Sequence, residues 1–228
     1  MNGFILDLYS GIHGAGRAFK DLGFVVIGVE YNEKLRDSHL IEYDEDFFMD
    51  AFEIDKAWVD ALIEKYGPCL GVWASPPCTC FSIASCSTHW FPPKEDGTRI
   101  PRTEKAELAV ELVKHTLKII EWTEAPYFWI ENPRGILRKL GILDHLEHTC
   151  ITYCTYGENR MKPTDLWGRF HEDWEPRPMC YNGATAKGDC HHEPAPRGAK
   201  TGTQGLKGNA LRSVVAYELT KDIGEALR

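Results

Sequence analysis

Short runs of consecutive apolar residues alternate along this chain with longer stretches whose apolar positions recur every three or four residues. Phe4-Ile5-Leu6-Asp7-Leu8-Tyr9 closes on Ser10-Gly11, and Phe24-Val25-Val26-Ile27-Gly28-Val29 closes on Glu30. Phe47-Phe48-Met49 closes on Asp50, Cys69-Leu70-Gly71-Val72-Trp73-Ala74 on Ser75-Pro76-Pro77, and Pro126-Tyr127-Phe128-Trp129-Ile130 on Glu131-Asn132-Pro133. Runs of this length bounded by turn residues read as strands buried on both faces, the pattern of a parallel sheet. Helical spacing fills the intervals. It covers 17–22 with Gly23 as C-cap, 34–43 with one polar face, and 54–66. A longer helix runs from the cap Thr103 to about Thr123, with Ala106, Ala109, Val110, Val113, Leu117 and Ile120 as core. A sixth strand is predicted over 146–153 and a closing helix over 212–228, with a less regular block between them.

The first interval carries a glycine turn, Gly11, Gly14 and Gly16, between a strand and a helix, and Glu30 ends the next strand. That is the layout of a nucleotide-type cofactor site. The spacing is G-x-x-G-x-G, not the G-x-G-x-x-G that brings backbone against a pyrophosphate, so a dinucleotide is disfavoured. The Glu30 carboxylate can accept from both hydroxyls of a ribose. Adenosine without phosphates fits better, and S-adenosylmethionine is the commonest such cofactor. The other reading of the turn is a tight strand-to-helix connection with no ligand. Asp50 has two readings of equal standing: an acceptor for an adenine amino group, or the N-cap of the helix that follows.

Two strand ends share a further device. Pro77 has no N–H and holds Pro76 extended, so Cys78 follows a strand that stops abruptly with its direction fixed. Glu131 precedes Asn132-Pro133 at the tip of another strand. In an open α/β sheet the strand C-termini face one crevice. The glycine turn, Glu30, Asp50, Cys78 and Glu131 are therefore expected to converge on one cleft. Cys78 alone is equally a buried strand-end thiol. Residues 82–102, rich in Ser, Pro, Gly and charge, read as a long functional loop over that cleft.

Composition narrows the class. The chain has 228 residues, 43% hydrophobic and 11% aromatic, which suits one globular domain of generous size. Its formal charge of −8 argues against an indiscriminate polyanion binder, though not against a nucleic-acid enzyme with locally clustered cations. The eight cysteines come without a basic n-region or signal-like apolar stretch at the start, and no run is long enough to span a membrane. A reducing cytoplasm and free or metal-bound thiols are expected.

Asp7-Leu8-Tyr9-Ser10-Gly11-Ile12-His13-Gly14, Glu30, Asp50, Ser75-Pro76-Pro77-Cys78, Glu131-Asn132-Pro133 and the late Gly205-Leu206-Lys207-Gly208-Asn209, in this order, resemble the DNA (cytosine-5) methyltransferases in their short bacteriophage form. The resemblance implies an α/β, class I S-adenosylmethionine-dependent methyltransferase fold: Rossmann-like, with a mostly parallel sheet, helices on both faces and a much reduced target-recognition region. It implies a catalytic and cofactor-binding domain over 1–155, a reduced irregular segment over 156–207, and a segment over 208–228 returning to the catalytic domain. Cofactor contacts are implied at Asp7, Tyr9, Ser10, Gly11, His13, Gly14, Glu30, Tyr31, Asp50, Ala51, Pro76 and Asn209. Cys78 is implied to add to C6 of a flipped cytosine in duplex DNA, and Glu131 to contact N3 and the exocyclic amine. The loop 79–102 is implied to close over that base. A bacterial-host cytoplasm and a monomer go with this reading.

The family's Gln-x-Arg-x-Arg segment is represented here by Asn159-Arg160-Met161-Lys162-Pro163-Thr164, so Arg160 and Lys162 are the basic candidates for the base or target phosphate. The alternative is that both solvate a turn. Some 40 residues stand where the family inserts a recognition domain. Relaxed or very short sequence specificity is therefore expected, with phosphate contacts from Arg99, Arg102, Arg197, Lys200, Lys207 and Arg212. Cys180 and Cys190-His191, with Cys154, form a candidate structural zinc site, although adjacent Cys-His rarely serve one ion. Two other functions compete: methylation of cytosine in tRNA, and a catalytically idle module that binds cofactor or DNA.

Overall fold

The computed structural model describes residues 3–181, 190, 192, 206 and 208–228. Strand β1 (Phe4–Leu8) lies in the interior of one seven-stranded sheet. It runs parallel to β2 (Val25–Glu30) on one side and β4 (Cys69–Ala74) on the other. Strand β3 (Glu45–Phe48) extends the sheet beyond β2, and β5 (Tyr127–Pro133) extends it beyond β4, both parallel. The far edge reverses. β7 (Pro163–Arg169) lies antiparallel between β5 and β6 (Glu147–Thr152), giving the order β3-β2-β1-β4-β5-β7-β6. The order changes direction between β1 and β4, which places a crevice at their C-terminal ends.

Alternation along β1 divides the core. Phe4, Leu6 and Leu8 belong to the layer shared with helices α2 (Lys56–Tyr66) and α4 (Glu104–Thr123), which contribute Val59, Leu62, Val113 and Ile119. Ile5 faces the opposite layer with Phe19 of α1 (Gly16–Asp21) and Leu219 and Ile223 of α6 (Tyr217–Ala226). Asp7 shares that second face, since successive side chains of a strand point opposite ways. At Gly224 a Cβ would come within 2.6 Å of Leu22 and 3.1 Å of Phe19, so α6 lies close on α1. Thr103 caps α4 as expected, its side chain accepting from the Ala106 N–H.

Several expectations are corrected. Residues 34–43 form only the short 3₁₀ turn Glu33–Ser38, because the rest of the interval is spent bringing His39, Ile41 and Tyr43 back over the first strands. β5 does not stop at Ile130 but runs through Glu131 and Asn132 to Pro133, which pairs with Thr164. β7 was not expected as a strand. The charge at its centre, Asp165, is buried and receives a bidentate interaction from Arg138 together with a hydrogen bond from His148. One middle strand of the sheet thus comes from beyond residue 155. The closing helix is two: α5 (Asn209–Ser213) and α6, separated by extended backbone at Val214 and Ala216.

The loop after Cys78 is also more ordered than its composition suggests. It holds the short helix α3 (Cys86–His89) and a ladder-like return in which Phe91 N–H donates to Ile100 O and Lys94 N–H to Thr98 O. Phe81 and Trp90 are buried at its base, and Trp90 Nε1–H donates to Cys80 O at 2.6 Å. Among the described residues no helix is long and apolar enough to cross a membrane.

Candidate functional site

Glu30 and Glu131 follow Val29 and Ile130, which pair with Leu8 and Ala74 at the C-terminal ends of the parallel strands. On the β1–β2 side, Gly11 takes a positive φ of 57° and its N–H donates to Glu30 Oε2 at 2.9 Å, while Asn32 N–H donates to Glu30 Oε1 at 2.8 Å. The carboxylate is thereby fixed at the mouth of the turn, half-buried, and each oxygen keeps a lone pair for a ligand. Ser10 Oγ and Asp7 Oδ1 are buried polar atoms without a protein partner, a condition that a polar ligand in the turn would relieve. The donor and acceptor set fits a nucleoside. Tyr31 is 75% exposed beside Glu30.

Other members of the expected cofactor set are committed elsewhere. Gly14 is required by packing, since a Cβ would lie 3.0 Å from Val215 N and 3.2 Å from Val214. His13, also at positive φ, is fully buried: Nδ1 lies 2.7 Å from Ile41 O, Nε2 lies 2.9 Å from Asp46, and the ring stacks on Tyr43 at 3.7 Å. Its imidazole is part of the wall, and only its backbone remains for a ligand. Tyr9 OH pairs with Thr116 Oγ1 at 2.8 Å on α4. Asp50 caps only the 3₁₀ turn Ala51–Glu53, where Oδ1 accepts from Phe52 N–H and its own N–H donates to Glu53 Oε2; the helix expected after it, α2, is capped by Asp55. Tyr43 was not singled out by the sequence. Its hydroxyl donates to Asp7 Oδ2 at 2.6 Å and accepts from Gly16 N–H at 2.8 Å. Burial pushes the Asp7 carboxyl up to about 7, opposed by the Tyr43 hydrogen bond and the nearby His13.

On the β4–β5 side, Cys78 opens a single 3₁₀ turn (Cys78–Cys80) after Pro77. Two bonds lock this loop to the end of β5. Buried Asn132 donates from Nδ2 to Pro76 O at 2.9 Å, and Ile136 N–H donates to Phe81 O at 2.8 Å. Gly135 permits the second contact, because a Cβ there would sit 2.2 Å from Phe81 O. Glu131 is 4% exposed, and its Oε1 accepts from Tyr153 OH at 3.1 Å and Lys162 Nζ at 3.3 Å. Lys162 Nζ also lies 4.5 Å from the centre of the Tyr153 ring. The half-buried Cys78 thiol is pushed up, first by burial and then by the negative charge of Glu131. The positive charges of Lys162 and Arg212 oppose this shift. Cys78, Glu131, Lys162 and Arg212 thus share one electrostatic environment.

Arg160 departs from the expected role. Its guanidinium is 5% exposed and donates to Arg212 O at 3.0 Å, Val214 O at 2.9 Å and Glu158. It fixes the chain between α5 and α6, and so acts as a positioning residue; turn solvation does not describe it either. Of the cations expected at DNA phosphates, Arg102 is exposed and donates to Ser87 O, with its guanidinium 6.0 Å from the Phe91 ring. Arg99 is half-buried, and Arg212 Nε donates to Gly208 O. Arg197, Lys200, Lys207, His191 and the Asn209 side chain lie outside the described residues. Cys154, Cys180 and Cys190 do come together, and the imidazole that joins them belongs to His192.

A sheet ordered β3-β2-β1-β4-β5-β7-β6, with only β7 reversed, is the Rossmann-like fold of class I methyltransferases. No family model matches the chain, and no curated protein does. Among solved structures, it is similar to a protein described as a DNA modification methyltransferase encoded within an E. coli prophage. That match has a TM-score of 0.53 and 16% identity, over 78% of this chain and 52% of the other. It is similar as well to a methyltransferase of Entamoeba histolytica, with a TM-score of 0.53 and 12% identity, over 78% of this chain and 56% of that one. The chain thus spans about half the length of these two structures.

Proposed function

We propose that this chain methylates C5 of cytosine in DNA, using Cys78 as nucleophile and S-adenosylmethionine as methyl donor. The observation that carries the reading is the bond that ties the loop bearing Cys78 to the strand bearing Glu131. Asn132 ties the Cys78 loop to β5, and the charges of Glu131 and Lys162 both act on the sulfur.

The residues divide the chemistry as follows. Cys78 thiolate forms an S–C6 bond to the flipped base, and the C5=C6 electron pair moves onto C5. Glu131, held by Tyr153 and Lys162, supplies a hydrogen bond or proton at N3 where negative charge develops. S-adenosylmethionine, when bound, supplies an electrophilic methyl group for C5. Water or hydroxide from solvent takes the C5 proton, the C–H electron pair reforms C5=C6, and the S–C6 pair leaves on sulfur as the Cys78 thiolate. Glu30 would hold the ribose hydroxyls, with the backbone from Tyr9 to Gly11, Tyr31 and Ala51 around the adenosine. Burial and the Glu131 charge push the Cys78 thiol up, so thiolate formation calls on the opposing positive charges of Lys162 and Arg212 as the loop closes over the base. The anchored loop after Cys78 supports such a closure, because Phe81 and Trp90 hold its base while its tip is exposed. The two similar structures named above are described as methyltransferases, one as a DNA modification enzyme, which supports the reading.

A duplex carrying 5-fluorocytosine tests it, since fluorine at C5 blocks release of Cys78. With S-adenosylmethionine present, an adduct that survives denaturation and maps to Cys78 is expected. Cys78→Ser abolishes the adduct and lowers methyl transfer at least about a thousandfold. Wild-type protein that binds both ligands yet forms no adduct would overturn the proposal.

A further inference from the structure

Away from the crevice, three stretches of chain deliver four soft ligands to one point. Cys154 lies in the turn Tyr153–Tyr156 that follows β6, Cys180 lies on the segment after β7, and Cys190 and His192 follow it. The three sulfurs and one imidazole nitrogen all lie within 4.8 Å of one another. His192 Nδ1 is 2.8 Å from Cys190 Sγ and 3.7 Å from Cys180 Sγ. Cys154 and His192 are each 1% exposed and Cys180 7% exposed, so the cluster is closed to solvent on most sides. All eight cysteines of the chain are free thiols.

We propose that Cys154, Cys180, Cys190 and His192 form a structural zinc site. A tetrahedral zinc bound by sulfur at about 2.3 Å and nitrogen at about 2.0 Å separates its ligand atoms by roughly 3.5–3.8 Å. The 3.7 Å pair already has that spacing, and the 2.8 Å pair needs to open by less than about 1 Å. Three thiolates and an imidazole favour zinc over harder cations, and four protein ligands leave no open position for catalysis. The scaffold is prepared on both sides. Cys180 N–H donates to the buried Thr152 Oγ1 at the end of β6. Three residues earlier, Arg177 is clamped by Asp222 of α6 and donates to Thr155 O.

The site's place in the fold gives it a purpose. Cys154 directly follows Tyr153, whose hydroxyl holds Glu131. A metal at Cys154 would tie Cys180, Cys190 and His192 to the turn that presents Tyr153. This inference stands on the four side chains alone and does not depend on the proposed reaction.

The full-length protein, purified without chelators from zinc-supplemented medium, is expected to carry one zinc per chain by elemental analysis. Cobalt exchanged for zinc should show thiolate-to-cobalt charge transfer and the intense visible bands of a tetrahedral ion. Cys180→Ser, Cys190→Ser and His192→Ala should each lose or alter those bands, whereas His191→Ala and Cys86→Ser should leave them unchanged. Should the variants fail to fold, X-ray absorption at the zinc edge of the wild type reads the ligand set directly, with three sulfurs and one nitrogen expected. Negligible zinc, iron in its place, an oxygen-rich shell, or a disulfide among the three cysteines in freshly isolated protein would overturn the assignment. So would bands that survive in His192→Ala and vanish in His191→Ala.

Discussion

Two buried carboxylates, Asp7 on β1 and Glu131 on β5, each accept a hydrogen bond from a buried tyrosine hydroxyl. Their surroundings differ in one respect. Asp7 is enclosed by Tyr43, the stacked His13 and the backbone of the glycine turn, and burial raises its carboxyl to about 7. Glu131 has the ammonium of Lys162 at 3.3 Å and the thiol of Cys78 within its field. The same acid–phenol pair therefore holds a wall together in one half of the sheet and presents a charged group to a nucleophile in the other. The cation and the neighbouring sulfur mark which pair serves chemistry.

The largest effects should come from breaking the β5 pair. Glu131→Gln is expected to lower methyl transfer by about 10²–10⁴-fold, the usual worth of a positioned acid or base. Because the Glu131 charge holds the Cys78 thiol up, the same variant should shift alkylation of Cys78 by iodoacetamide toward lower pH. Lys162→Met removes an opposing positive charge and should shift it toward higher pH. Movement of both profiles in one direction would show that the charges do not act on the sulfur as described.

Tyr43→Phe tests the other pair through stability. The hydroxyl serves two buried partners, Asp7 Oδ2 and Gly16 N–H, and leaving each unsatisfied costs about 1–3 kcal/mol. Urea unfolding should register that loss, with the Cys78 alkylation profile unchanged.

Asp7→Asn examines the pH dependence of the same pair. The folded-state value near 7 stands above the ordinary 3.8, so the folded protein holds this proton more tightly than the unfolded chain. The contribution to stability is complete below about 4 and is lost as pH rises through about 7. His13, also raised by Asp46 and Asp7, adds a loss of the same sign as pH rises through its own value. Unfolding free energies between about pH 4 and 8 should slope less steeply in Asp7→Asn than in the wild type. Identical slopes would mean that Asp7 does not carry the proton.

Much of this arrangement was legible from the chain because strand ends carry short-range signals. Pro76-Pro77 before Cys78, Pro133 after Glu131-Asn132 and the glycine turn before Glu30 all act within a few residues. The Thr103 cap likewise satisfies an N–H three residues away. What escaped reading depends on distant partners. β7 was obscured because Asp165 looks like a loop residue until Arg138 and His148 are found beside it. Arg160 resembled a substrate contact because nothing local shows that its partners are carbonyls 52 and 54 residues away. His192 joins the three cysteines where the sequence reading named its neighbour, because two adjacent histidines carry the same local signal. The nucleophile loop and the acid were visible separately. The Asn132–Pro76 bond that joins them needed the fold.

The gentlest expected change is Tyr153→Phe, the counterpart of Tyr43→Phe on the β5 side. Both tyrosines are fully or nearly buried, so phenylalanine preserves packing in each and the two variants differ only in what their missing hydroxyl leaves behind. Without Tyr43, Asp7 Oδ2 and Gly16 N–H both lose their partner. Without Tyr153, Glu131 Oε1 still has Lys162 at 3.3 Å. The cost should therefore be about 1 kcal/mol, the net worth of one hydrogen bond, and smaller than that of Tyr43→Phe. Adding Lys162→Met to Tyr153→Phe strips Glu131 of both partners and should cost more than the two single changes summed, because each partner covers for the other. Additive losses in that double-mutant cycle would show that Tyr153 and Lys162 hold the carboxylate independently, and the distinction between the two acid–tyrosine pairs would then rest on the sulfur alone.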